Sequence, residues 1–85
     1  MTAHTLQSIK DTLVAIVAKT IGKAPSDIRT DIALDDQGVD SLAFAELMFD
    51  IEDNFGSVIQ DNAEEMKTLK TIDQLAARIF EKLEG

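Results

Sequence analysis

The sequence predicts an all-α fold: a small four-helix bundle, three longer helices plus one short helix, with a long loop between the first two helices. Three observations predict it. Apolar residues recur at spacings of 3 and 4 in three separate stretches. No stretch alternates with a period of two, so no sheet is expected. The 85 residues are 45% hydrophobic, enough for one core and too few for two. Residues 1–85 therefore read as a single domain, with 1–4 as a frayed tail.

Leu6, Ile9, Leu13, Ile16, Val17 and Ile21 mark an amphipathic first helix from about 5 to 20, capped by Thr2 or Thr5 and closed by Gly22. Lys23 to Val39 is a long connection. Ala24-Pro25-Ser26-Asp27 reads as a turn, with a short helical turn over 26–29. Long loops in compact domains are functional or pinned, and Ile28, Ile32 and Leu34 are the expected pins. A second helix follows over about 41–55. Its apolar face is Phe44, Met48, Ile51 and Phe55, and Gly56 suits a left-handed C-cap. Asp61, with Glu64 three residues on, caps a short helix over about 61–67 that turns Met66 and Leu69 inward. Thr71 caps the last helix, about 71–83, whose stripe is Ile72, Leu75, Ala76, Ile79, Phe80 and Leu83.

The net charge of −8 is unevenly spread. No basic residue lies between Arg29 and Lys67, and that interval holds 11 of the 16 acids, centred on the second helix. Nucleic-acid binding through a basic patch is excluded. So lopsided a field costs stability by self-repulsion, and its main physical use is to steer a basic protein partner. The absence of cysteine excludes disulfides and thiolate metal sites, so any thiol chemistry needs an added group. His4, the only histidine, falls in the tail, and no Gly-x-Ser-x-Gly elbow is present, so no catalytic residue is expected. Asp50-x-Glu52-x-Asn54-x-Gly56 puts its glycine one place late for a calcium loop and lacks the final acid, so no specific metal site is expected. The longest apolar run, Leu13 to Ala18, is too short for a membrane span. A soluble, cytoplasmic monomer is the expectation.

Ser41 stands at the mouth of the second helix. The first N–H groups of a helix lack internal partners, and the aligned peptide dipoles add partial positive charge there. A phosphodiester on the serine hydroxyl would be stabilised at such a place. Taken alone, Asp40-Ser41 reads as a helix cap.

Taken together, Leu34-Asp35-Asp36-Gln37-Gly38-Val39-Asp40-Ser41-Leu42, then Glu46-Leu47 and Ile51-Glu52-Asp53-Asn54-Phe55, resemble the acyl carrier protein family, the phosphopantetheine-binding carrier domains. The likeness runs over about 5–83. It implies that Ser41 carries 4′-phosphopantetheine from coenzyme A, that Asp40 helps the transferase and orients the serine, and that Leu42 is a contact beside the arm. It implies a carrier of acyl thioesters in fatty-acid, lipid or polyketide-type biosynthesis. Its partners would be a phosphopantetheinyl transferase and acyl-transferring enzymes with basic docking patches. Docking falls on Glu46, Glu52 and Asp53, with Asp35, Asp36, Ala45 and Phe49 as neighbours. Leu47, Met48, Ile51, Met66, Leu69 and Ile72 could line an acyl-chain cleft, at ~0.8 kcal/mol per buried methylene. The chain departs from the family's usual pattern at Gln37, where leucine is common, at Ala43, at Asp50, and over 57–61. These departures point to a specialised carrier. The competing expectations are a non-carrier acidic interaction module and an aminoacyl or peptidyl carrier.

Overall fold

The computed structural model describes residues 5–56, 63–66 and 68–84, and among these every regular element is helical. Three long helices, α1 (Leu6–Ile21), α2 (Ser41–Phe55) and α4 (Ile72–Glu84), pack around one core, and a single helical turn, α3 (Ala63–Met66), lies between the last two. Short 3₁₀ turns at Pro25–Asp27 and Leu34–Gln37 punctuate the long connection.

Helix α1 forms where the spacing predicts. Of the two candidate caps, Thr5 is the one seen, and it makes a reciprocal pair. Its hydroxyl accepts the Ser8 N–H, while Ser8 Oγ accepts the Thr5 N–H, each at 3.0 Å. Ile9, Leu13, Ile16, Val17 and Ala18 are buried. Leu6, expected on that stripe, lies in the first turn and is exposed instead. Gly22 closes the helix in a left-handed conformation. Helix α1 packs extensively against both α4 and α2, which meet each other far less.

The long connection is laced to the start of α4. The Leu34 N–H donates to Lys70 O at 2.8 Å, and the Asp73 N–H donates to Thr30 O at 3.0 Å. Two of the three expected pins hold: Ile28 and Leu34 are buried, joined by Val39. Ile32 is not a pin. It is 36% exposed, because no repeating geometry in the loop obliges successive apolar residues to face one way.

Helix α2 ends at Gly56, whose φ of 80° is positive but whose ψ of −154° is not left-handed helical. That region is essentially reserved for glycine, so the residue turns the chain sharply away rather than closing a left-handed cap. Residues 50–55, which superficially resemble a calcium loop, are helical throughout. The expected Asp61 cap, the approach over 57–62 and the His4 tail lie outside the described residues.

Thr71 caps α4 as predicted, its hydroxyl accepting the Gln74 N–H at 3.1 Å. Gln74 answers through Oε1, which accepts the N–H groups of Lys70 and Thr71. Ile72, Leu75, Ala76 and Ile79 are buried, while Phe80 and Leu83 pack half-exposed on the core's rim. Two sets of ion pairs tie α4 to its neighbours. Lys10 Nζ of α1 lies 3.0 Å from Asp73 Oδ1. Glu65 of α3 faces Arg78 Nη1 at 2.7 Å and Lys82 Nζ at 3.7 Å. Partly exposed pairs contribute about 0.2–1 kcal/mol each. Arg78→Ala is therefore expected to lower urea stability by roughly 1 kcal/mol. It should also speed amide exchange at 63–66, which α4 otherwise anchors.

Candidate functional site

The site begins at Gly38. Its φ of 103° reverses the chain after the 3₁₀ turn, and its N–H donates back to Asp35 O. A side chain would find open space there, so the requirement for glycine is conformational rather than steric. Val39 then plunges into the core, its N–H donating to Leu34 O. Asp40 follows in extended backbone as the N-cap of α2, with Oδ1 accepting the Ala43 N–H at 2.8 Å. Ser41 is the first helical residue and is exposed. The N–H groups of Ser41 and Leu42 find no partner among the described residues. They leave a positively polarised helix mouth directly beneath the serine.

Helix α2 divides into faces by its 3.6-residue period. Leu47, Ile51 and Phe55 form the buried centre, with Phe44 and Met48 half-buried beside them. The opposite face carries two large apolar side chains in the open, Leu42 at 70% and Phe49 at 68% exposure. Ala45 lies between them on the same stripe and is exposed. Glu46 and Asp53 stand exposed along one flank, and half-exposed Glu52 along the other. Asp35 and Asp36 are exposed on the turn just ahead. A lone exposed leucine means little, but two large apolar residues framed by carboxylates suit a protein contact. Ser41 shares its helix line with Ala45, Met48 and Glu52. It stands on the border between this outward stripe and the half-buried side of the helix.

The residues named for an acyl cleft lie at different depths. Leu47, Ile51 and Ile72 are fully buried in the core. Met48 and Leu69 pack half-buried against it. Met66 belongs to α3, and its side chain is outside the described residues.

The phosphopantetheine attachment site family matches residues 11–79, most of the chain. The chain belongs to the acyl carrier protein family. Among its relatives, an acyl carrier protein of Chlamydia trachomatis serovar L2 is 31% identical over 64 residues, covering 73% of this chain and 83% of that protein. One from Exiguobacterium sibiricum is 44% identical over 55 residues, covering 62% and 70%. Another, from Exiguobacterium sp., is 38% identical over 68 residues, covering 79% and 84%. No solved structure matches the chain.

Membership settles the chemistry in outline. Acyl carrier proteins are carriers, not enzymes, and their domain bears 4′-phosphopantetheine covalently. No helix among the described residues is long and apolar enough to cross a membrane. The helix mouth fits a phosphodiester: an exposed hydroxyl above unpartnered N–H groups, with the Asp40 carboxylate already engaged by Ala43. What reasoning from sequence missed is Gln37. Its position before Gly38 was visible as a departure from the carrier pattern, but its hydrogen-bonding partners lie five and eight residues earlier in an irregular loop.

Proposed function

We propose that this carrier is loaded at Ser41 and presents its cargo through the outward face of α2. The observation that carries the reading is the exposed serine at the mouth of α2, on the edge of an apolar stripe framed by acids. In loading, the Ser41 hydroxyl oxygen bonds to the β-phosphorus of coenzyme A and the pyrophosphate bridge breaks. The adenosine bisphosphate leaves, and the serine proton passes to a base of the transferase. Once attached, the arm's thiol carries acyl groups as thioesters. Asp40 holds the first turn of α2 in place through its bond to Ala43, so that the hydroxyl projects into solvent. Leu42 and Phe49 supply the apolar contact, with Ala45 leaving room for a partner side chain between them. Asp35, Asp36, Glu46, Glu52 and Asp53 orient a basic partner in approach.

The carrier acts as a cytoplasmic monomer of four helices, with Ala63–Met66 the described part of the short third one. Its acyl cleft opens between α2 and α4, where half-buried Met48 and Leu69 yield before the fully buried Leu47, Ile51 and Ile72. Gln37, Ala43 and Asp50, unusual for the family, suit a dedicated lipid or polyketide-type pathway rather than housekeeping synthesis.

Incubation with coenzyme A and a broad-specificity phosphopantetheinyl transferase tests the reading. Intact mass should rise by one phosphopantetheinyl group, found on the peptide containing Ser41. No gain across several transferases would leave an acidic interaction module instead. Docking is tested by Glu46→Lys with Asp53→Lys. This pair should raise the transferase KM for the carrier roughly tenfold at low ionic strength. The gap should narrow sharply near 1 M salt, where the Debye length falls to about 3 Å.

A further inference from the structure

Gln37 makes the densest set of side-chain hydrogen bonds in the long connection. Its Oε1 accepts the Arg29 N–H at 2.8 Å, and its Nε2 donates to Arg29 O at 2.8 Å and to Ile32 O at 2.9 Å. One primary amide thus satisfies both backbone groups of Arg29, as a neighbouring strand would, and a third group besides. Lys23 Nζ adds a longer contact, 3.4 Å, to the Gln37 carbonyl. Leucine, the family's common residue here, can make none of the three side-chain bonds.

The clasp sits at one end of the 3₁₀ turn Leu34–Gln37. At the other end Leu34 is buried and its N–H is held by Lys70 O. The two residues between these anchors are Asp35 and Asp36, both exposed. Four residues beyond the clasp is Ser41. We propose that Gln37 is a positioning residue for carrier recognition: by clasping the loop at Arg29 and Ile32 it holds Asp35 and Asp36 in register with Ser41 for a basic partner. The inference rests on the Ser41 reading above and adds a residue to it that makes no partner contact of its own. A turn anchored at both ends presents its carboxylates in one orientation. Without the clasp the turn is held only along its own chain, by buried Leu34 before it and buried Val39 after it. The carboxylates between them then sample more orientations, and weak charge–charge contacts with a partner are diluted.

The test uses the full chain, coenzyme A and a phosphopantetheinyl transferase, with steady-state kinetics in carrier concentration. Gln37→Met keeps the side chain's length and loses its hydrogen bonds. Gln37→Leu installs the family's usual residue and serves if the methionine variant folds poorly by circular dichroism. Either should raise KM about three- to fivefold with kcat unchanged, the factor that one or two weak surface ion pairs give. The decisive comparison is a double-mutant cycle with Asp35→Asn/Asp36→Asn. If Gln37 acts through these carboxylates, neutralising them should cost clearly less in the Gln37→Met background than in the native one. The Arg29 amide should lose its protection from exchange in both Gln37 variants. A KM indifferent to Gln37, or strictly additive effects of Gln37 and the two aspartates, overturns the inference while leaving Ser41 untouched. A native chain that accepts no arm overturns the Ser41 assignment itself.

Discussion

Ser41→Ala is expected to fold as the native chain does and to take no phosphopantetheine at all. The two halves of this result have separate causes. The side chain is exposed and makes none of the capping bonds; Asp40 caps the helix and would continue to do so. The change in urea stability should therefore stay within about 0.5 kcal/mol, as for a surface substitution away from special features. Loading should fall from one group per chain to none, because no other hydroxyl among the described residues shares this setting. Thr5 and Thr71, whose hydroxyls cap α1 and α4, are tied to backbone N–H groups of Ser8 and Gln74. Intact mass spectrometry after incubation with transferase and coenzyme A reads the second half, and thermal melting the first. A Ser41→Ala chain that still gained the group would move the attachment site elsewhere.

Leu47→Ala carries the largest expected loss of stability. Leu47 is 0% exposed, at the centre of the buried face of α2. Deleting three buried carbons from such a place costs roughly 3 kcal/mol, transfer and residual cavity together. A domain of this size has a total stability on the order of 5–10 kcal/mol. The midpoint in a thermal melt should fall by roughly 12–24 °C. The variant also probes the acyl cleft. If a thioester-bound octanoyl chain enters between α2 and α4, it reaches the space left by the missing carbons, at about 0.8 kcal/mol per buried methylene. Octanoyl loading should then raise the melting point of Leu47→Ala more than that of the native carrier. Equal shifts would place the chain outside the core.

The parts of the fold legible in the sequence were those governed by local rules. Helix α2 spans Ser41–Phe55 as expected, since a cap at Asp40, a 3.6-residue stripe and a terminal glycine all agree on its limits. Ser41 stands at the mouth of that helix as expected, and it is exposed there. The contacts missed lie within the irregular loop and between elements. The sequence groups Ile32 with Ile28 and Leu34 as a pin, yet an irregular loop has no period to say which of three apolar residues turns outward. Gln37 sits in a stretch that reads only as polar and turn-prone, and its bonds to Arg29 and Ile32 depend on how the loop doubles back. The Glu65 pairing with Arg78 and Lys82 likewise joins elements whose relative placement no local pattern encodes.

The central place of α1 separates bearing the load from keeping the shape. Helix α1 is the spine against which α2 and α4 each lie like facing pages, more closely bound to it than to one another. Ser41 is on a page, so cargo hung there under the proposed loading would pull on one leaf and need not strain the binding. A fatty tail slipping between the leaves would trade the apolar contact it displaces for contact with itself, leaving the spine's own seams intact.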